Sequence, residues 1–303
     1  MREGRLSLTH IILFILTFFS TLVIGAFHNG VTLGEIINEP LRILAGIPFS
    51  FTLMLILLTH ELSHYFASRY HHTRATLPYF IPAPTIFGTF GAFIKMTSPI
   101  RSRRALVDIG ASGPIAGFVV SIVACAVGLS YSRIVPMPAG EAIHTIWGSP
   151  LLAIYKVEEQ YNLYFGNSLL GWILTRIFVG VPPDGSIILA HPVAIAGWIG
   201  LFVTFLNLFP IGQLDGGHVA YALLGWRHRF VSLGLVVLLS LAGVFFWPGW
   251  IFWAVLMVIL GLRHPPVMNW EEPLDPGRKL VGIIAIAIFV LTFIPVPVFL
   301  LGQ

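Results

Sequence analysis

The chain has 303 residues, 56% of them hydrophobic and only 10% charged, with a mean hydropathy of +0.88. Soluble domains carry about 25% charged residues, so this sequence has too little polar surface to cover a water-soluble globule. The net charge of +4 comes from basic residues scattered between apolar runs, which excludes a nucleic-acid partner and points to membrane topology instead. A single cysteine, Cys125, lies inside an apolar run, so an internal disulfide is excluded and Cys125 reads as a small packing residue.

A spanning helix needs about 20 mostly apolar residues. In chain order such runs fall at 9–27, 44–68, 105–130, 188–210, 230–247, 250–262 and 280–300, which predicts an all-α polytopic membrane protein of six to seven transmembrane helices. The first run lacks a small-x-small cleavage site after it and reads as a retained anchor helix. Residues 1–43 form an anchor and outer loop, 44–225 the functional core, and 226–303 the C-terminal spans. Between the second and third runs, residues 77–96 are apolar but hold three prolines and two glycines, Gly88 and Gly91. A helix fits poorly there, and a re-entrant, β-hairpin-like loop with strand character over 85–96 fits better. Such backbone is tolerated at membrane depth only where protein or a water-filled cavity shelters it. The outer segment 131–187 contains one apolar patch, Leu169 to Phe178, that reads as an interfacial helix anchored by Trp172. The 250–262 run is short and follows Pro248-Gly249, which predicts a tight helical hairpin with its predecessor.

Charge sets the orientation. With the N-terminus on the cytoplasmic side and each run crossing once, only Arg42, Arg133, Lys156 and Arg176 of the 17 basic residues fall outside. That bias agrees with the positive-inside rule and returns the 77–96 loop to the side it left.

Near the inner end of the second run stands His60-Glu61-Leu62-Ser63-His64. Positions i and i+4 share a helix face, so the two imidazoles are placed to bind one metal while Glu61 reaches a metal-bound water as general base. Ionisable groups at membrane depth are costly and mark function by default. Catalytic zinc takes three protein ligands and keeps one position open. The fourth main run closes on Asn207-Leu-Phe-Pro-Ile-Gly-Gln-Leu-Asp215-Gly-Gly-His218, and the charge count brings Asp215 to the level of the two histidines. Pro210 and Gly216-Gly217 are expected to interrupt the helix there. Asn207 could hydrogen-bond a substrate backbone or a developing oxyanion. His218 stays open between a supporting partner and an alternative ligand. Asp108, at the start of the third run, reads as a helix-end residue, and His71, His72, His144, His191, His228 and His264 receive no role.

These motifs resemble the site-2 proteases, intramembrane zinc metalloproteases. The likeness lies in His60 to His64, in Asn207 through Pro210 to Leu214-Asp215-Gly216, in Gly88-Thr-Phe-Gly91 and in Ala111-Ser-Gly113-Pro114-Ile-Ala116-Gly117. It covers about residues 44–225. The resemblance implies one zinc per chain held by His60, His64 and Asp215, with Glu61 as base and the Gly88–Gly91 hairpin receiving an unwound substrate strand. It further implies membrane-protein substrates cut within or beside their transmembrane segments, in contact with the lipid bilayer. Neither a PDZ domain nor a CBS pair fits into this chain.

Four other readings compete. Two histidines and a carboxylate also suit non-haem iron, which has no need of Glu61, and a di-iron desaturase needs more clustered histidines than His71-His72 supply. A transporter would use the breaks at Pro210 and in 77–96 to line a binding site, but no inverted repeat is present. A catalytically inactive metal-binding homologue completes the set.

Overall fold

Long apolar runs make the helices α1 (Leu8–His28), α3 (Ile47–Tyr70) and α4 (Arg103–Ser130), the last continuing through Pro114, with a short α2 (Leu33–Asn38) and a 3-10 turn (Pro40–Gly46) leading into α3. The computed structural model describes residues 6–136, 151–157 and 161–302. Arg2, Arg5, His144 and part of the predicted outer segment lie outside the described residues. Stretches long and apolar enough to cross a membrane are Leu8–His28, Pro40–Tyr70, Arg103–Ser130 and Asp215–Phe245, joined by shorter apolar helices. The protein is a mostly helical, polytopic membrane protein.

The 77–96 segment forms an antiparallel hairpin of β1 (Tyr79–Pro82) and β2 (Thr89–Phe93). Strand character therefore starts earlier than Thr85. Helix α1 runs beside the hairpin along most of its length. His10 stacks on Tyr79 at 4.1 Å, Phe14 meets Phe80 edge-on at 5.1 Å, and the Ser20 hydroxyl donates to the Gly88 carbonyl at 2.6 Å. At the tip, His28 Nε2 lies 3.0 Å from the Ile86 carbonyl. From His10 to His28 a helix rises about 27 Å, close to the thickness of a bilayer core, so the hairpin is sheltered by helices along its depth.

The fourth crossing is built from two helices. Helix α6 (Pro192–Asn207) has His191 as N-cap and Pro192 in its first turn, and it stops at Asn207. An irregular turn follows through Pro210 and Gly212, whose φ is +54°. Helix α7 (Asp215–Leu224) then continues to the end of the molecule where α4 begins, and Arg103 donates to the Ala222 carbonyl there. Gly216 and Gly217 do not interrupt the helix, as the sequence suggested; they lie in its first turn. A Cβ on Gly216 would run into the Leu208 carbonyl, and one on Gly217 would lie 2.6 Å from the Gly212 carbonyl. The glycines let the helix start pack onto the break made by its neighbours.

Gly225, at φ +62°, turns the chain into α8 (His228–Phe245), and Pro248 turns it again into α9 (Gly249–Leu260), giving the expected hairpin. Ser232 on α8 donates to the Pro210 carbonyl at 2.9 Å, so α8 returns beside the break. Helix α9 has 12 residues, and Gly261 at its end faces Gly212. Both α6 and α9 thus stop at the depth of the break. Helix α10 (Pro276–Thr292) makes the last crossing. It is capped by Asp275 and tied by Arg278 to Asp108, which also receives His71 at 2.7 Å. Asp108 is therefore a knot joining α3, α4 and α10, in keeping with a structural residue.

At the opposite end lies a sheet that the helical expectation did not contain. Its strands are β3 (Arg133–Pro136), β4 (Leu151–Val157), β5 (Tyr161–Phe165), β6 (Ser186–Leu189) and β7 (Val298–Gly302), in the order β3-β6-β4-β5-β7. Helix α5 (Leu169–Phe178) is the predicted patch, with Arg176 over the Trp172 ring at 5.4 Å. Two of the predicted spans are correspondingly shorter. The 188–210 run begins as strand β6, and the 280–300 run ends in β7 because Pro295 and Pro297 cannot continue a helix. Buried strands and buried helices are equally apolar, which is why composition merged them. Trp198 and Trp250 fasten this end to the helices, donating to the carbonyls of Gly166 at 2.6 Å and Pro295 at 2.7 Å.

Candidate metal centre

His60 and His64 lie one turn apart on α3, both buried. Tyr70 ends α3 ten residues after His60, about 15 Å along the axis. His64 is six residues, about 9 Å, from that end, so the pair lies in the last half of the helix, towards the end that the sequence placed on the inner side. Asp215 comes from the first turn of α7. Its Oδ2 lies 3.3 Å from His60 Nε2 and 3.1 Å from His64 Nε2, and the two Nε2 atoms are 3.1 Å apart. Among the described residues these three form a group able to hold a metal ion.

The donor set can be tested for fit. His64 Nδ1 lies 2.7 Å from the Ile109 carbonyl, which can only accept, so in the neutral ring Nδ1 carries the proton and Nε2 presents a lone pair. A lone-pair nitrogen and a carboxylate oxygen 3.1 Å apart repel each other unless a cation lies between them. Tetrahedral zinc with arms of about 2.0 to 2.1 Å separates its ligand atoms by about 3.3 Å, which matches the observed triangle. The residues fit zinc, and the Ile109 carbonyl is the outer partner that orients a metal-binding imidazole.

Helix α4 makes room for this triangle. A Cβ on Gly113 would overlap the His64 ring, one on Gly117 would approach His60 Nδ1 to 3.0 Å, and one on Gly110 would lie 2.8 Å from the Asp215 carbonyl. The spacing i, i+3, i+7 puts all three on one face. Gly113 and Gly117 belong to the small-residue motif Ala111 to Gly117 quoted above, and what packs against it is the metal-binding group itself.

A cavity of about 770 Å³ opens beside the triangle, lined by the three groups, Glu61, Asn207, Gln213 and His218, by Ala92 to Ile100, and by His264 to Val267. Glu61 is buried and faces the backbone amide of Ile94, just past β2. The Asn207 amide nitrogen lies 3.2 Å from His60 Nε2, which brings the end of α6 to the same point. Gly88 and Gly91 do not line the cavity. Gly88, at φ +77°, turns the hairpin tip against α1, where a Cβ would lie 2.8 Å from the Thr21 Cα. Gly91, at φ +95°, stands on β2 before the stretch Ala92–Pro99 that does reach the cavity. His218 is outside the triangle, and its Nδ1 lies 2.7 Å from His264 Nε2. His264, left without a role by the sequence, is thereby joined to the site.

Fold and site together define a polytopic membrane protein of the zinc-peptidase type, with a His-Glu-x-x-His helix and a distant aspartate meeting among the packed helices. The chain belongs to Peptidase family M50, whose pattern matches residues 48–247. It is 34% identical over 257 residues to the Probable zinc metalloprotease EGY1, chloroplastic, of Arabidopsis thaliana, covering 83% of this chain and 43% of that protein. The rice (Oryza sativa subsp. japonica) protein of the same name is 32% identical over 256 residues, covering 83% of this chain and 41% of its own length. The Arabidopsis Probable zinc metalloprotease EGY2, chloroplastic, is 27% identical over 255 residues, with 83% and 42% covered. The chain thus spans less than half the length of these relatives. No solved structure matches it.

Proposed function

We propose that this protein is a zinc endopeptidase that hydrolyses peptide bonds within or beside the transmembrane segments of other membrane proteins, with its N-terminus and the site end facing the cytoplasm. The observation that carries this reading is the convergence of His60, His64 and Asp215 within hydrogen-bonding distance, beside Glu61 and a cavity. The donor chemistry and the family membership support zinc, one ion per chain. Bound there, zinc would polarise a peptide carbonyl and bring the pKa of its water to about 7.

The chain's own groups supply the remaining chemistry. Glu61, next to His60 on the same turn, takes a proton from the attacking water and returns it to the leaving amine nitrogen. Asn207, at the end of α6, offers an amide N–H to the carbonyl oxygen as negative charge develops. Helical peptide bonds are occupied by their own hydrogen bonds, so a substrate must be extended before it is cut. Beyond its pairing with β1, strand β2 has an open edge leading to Ala92–Ile94 in the cavity wall, and strand addition there would hold the substrate open. The basic residues at the site end favour the cytoplasmic orientation.

The test is co-expression with candidate single-span membrane proteins. Wild type should release a cut product that Glu61→Gln does not, with zinc measured at one per chain in both. Equal cleavage by the Glu61→Gln protein would reject the mechanism.

A further inference from the structure

His218 lies one turn past Asp215 on the same face of α7, half-buried in the cavity wall. His264 belongs to the segment between α9 and α10. That segment is firmly seated: Val267 and Leu274 are buried against Leu106 and Val107, and the Trp270 ring lies under the Arg103 guanidinium at 4.4 Å. His264 itself stacks on Tyr221 at 4.4 Å.

Hydrogen bonding determines which nitrogen of each ring carries the proton. His264 Nδ1 is 2.6 Å from the Pro265 carbonyl, an acceptor only, so this nitrogen donates. Burial pushes the His264 imidazole below its usual range, keeping the ring neutral and its Nε2 an acceptor. His218 Nδ1, 2.7 Å from that Nε2, must then be the donor. The neutral His218 ring is left with a lone pair on Nε2, and no described group donates to it. The ionisable groups beside it are committed: His60, His64 and Asp215 to the metal, Glu61 to the proton.

An extended peptide added to the β2 edge pairs only every second residue with the strand. Its other N–H groups face away and need acceptors wherever the strand is buried against the cavity wall. We infer that His218 Nε2 accepts a backbone N–H of the bound substrate strand, and that His264 is the positioning residue that holds His218 in the accepting tautomer. This inference rests on the proteolytic reading above.

The test uses zinc-loaded protein in liposomes and a fluorogenic peptide with one apolar stretch of about 20 residues broken by Gly-Pro. His218→Leu should raise KM about tenfold, the worth of one buried hydrogen bond, with kcat and zinc content retained. His218→Gln, which keeps an acceptor at similar reach, should restore KM. His264→Leu should raise KM severalfold and move the ¹⁵N resonance of His218 Nε2 from the unprotonated towards the protonated position. A His264 that merely packs would leave that resonance in place. An unchanged KM in His218→Leu, loss of its zinc, or an effect confined to kcat overturns the assignment while leaving the proteolytic reading intact. Wild type that binds the peptide without cutting it overturns the proteolytic reading alone, and the peptide affinities of the same variants then decide the assignment. Wild type that neither binds nor cuts overturns both.

Discussion

Two stretches of chain reach the same point by different physics. On α3 the two histidines and Glu61 lie within five consecutive residues, and helical periodicity alone puts both imidazoles on one face. The α6–α7 break reaches it through tertiary packing. Asp215 is 151 residues from His64, and its oxygen arrives at 3.1 Å only because α6 stops, the chain doubles through Pro210 and Gly212, and α7 starts against α4. The continuous helix should therefore tolerate change at positions away from its metal face. The break should fail when any of its backbone contacts is crowded.

That contrast can be tested in order of effect. Glu61→Gln should lower turnover by about a thousandfold or more, within the range of a lost general base and below most assays, while zinc by mass spectrometry stays at one per chain. Asp215→Ala should lose zinc outright, leaving protein that still folds and inserts. Gly216→Ala tests the break itself: its Cβ would overlap the Leu208 carbonyl, so the helix start must move and zinc affinity should fall by about 10- to 100-fold, as when a metal ligand's support is lost. Gly113→Ala should do the same through the His64 ring, and Gly117→Ala less, its Cβ meeting His60 Nδ1 at 3.0 Å. If Gly216→Ala binds zinc as wild type does, the break is more compliant than its packing implies. At the small end, Ser63→Ala removes only a hydroxyl that donates to the Thr59 carbonyl on its own helix. It should shift thermal stability by no more than about 0.5 kcal/mol and leave zinc unchanged.

Much of this was legible beforehand because the signals are local or cumulative. Low charge over long apolar runs reveals a membrane protein, and prolines with glycines in an apolar stretch reveal a hairpin where a helix would fail. The grouping of His60, Glu61, His64 and Asp215 followed from periodicity joined to a count of loop charges. What escaped has equally physical reasons. The five-stranded sheet uses Ser186–Leu189 and Val298–Gly302, which are as apolar as the helices beside them, and β7 pairs with β5 from more than a hundred residues away. Gly88 carries its positive φ in the hairpin, yet which neighbour it faces is settled by α1. Gly113 and Gly117 stood in a recognisable motif, but the imidazoles they face, and the part Gly110 plays beside Asp215, were not legible.

The sequence by itself determined the solvent this protein lives in and the chemistry of its donor atoms, since hydropathy and side-chain type need no partner to be read. Only the tertiary structure decided how closely Asp215 approaches the imidazoles, how α4 accommodates them, and that His218 and His264 share a hydrogen bond. Those depend on distances between segments remote in the chain, and such distances are fixed by close packing and by the need of every buried polar group for a partner.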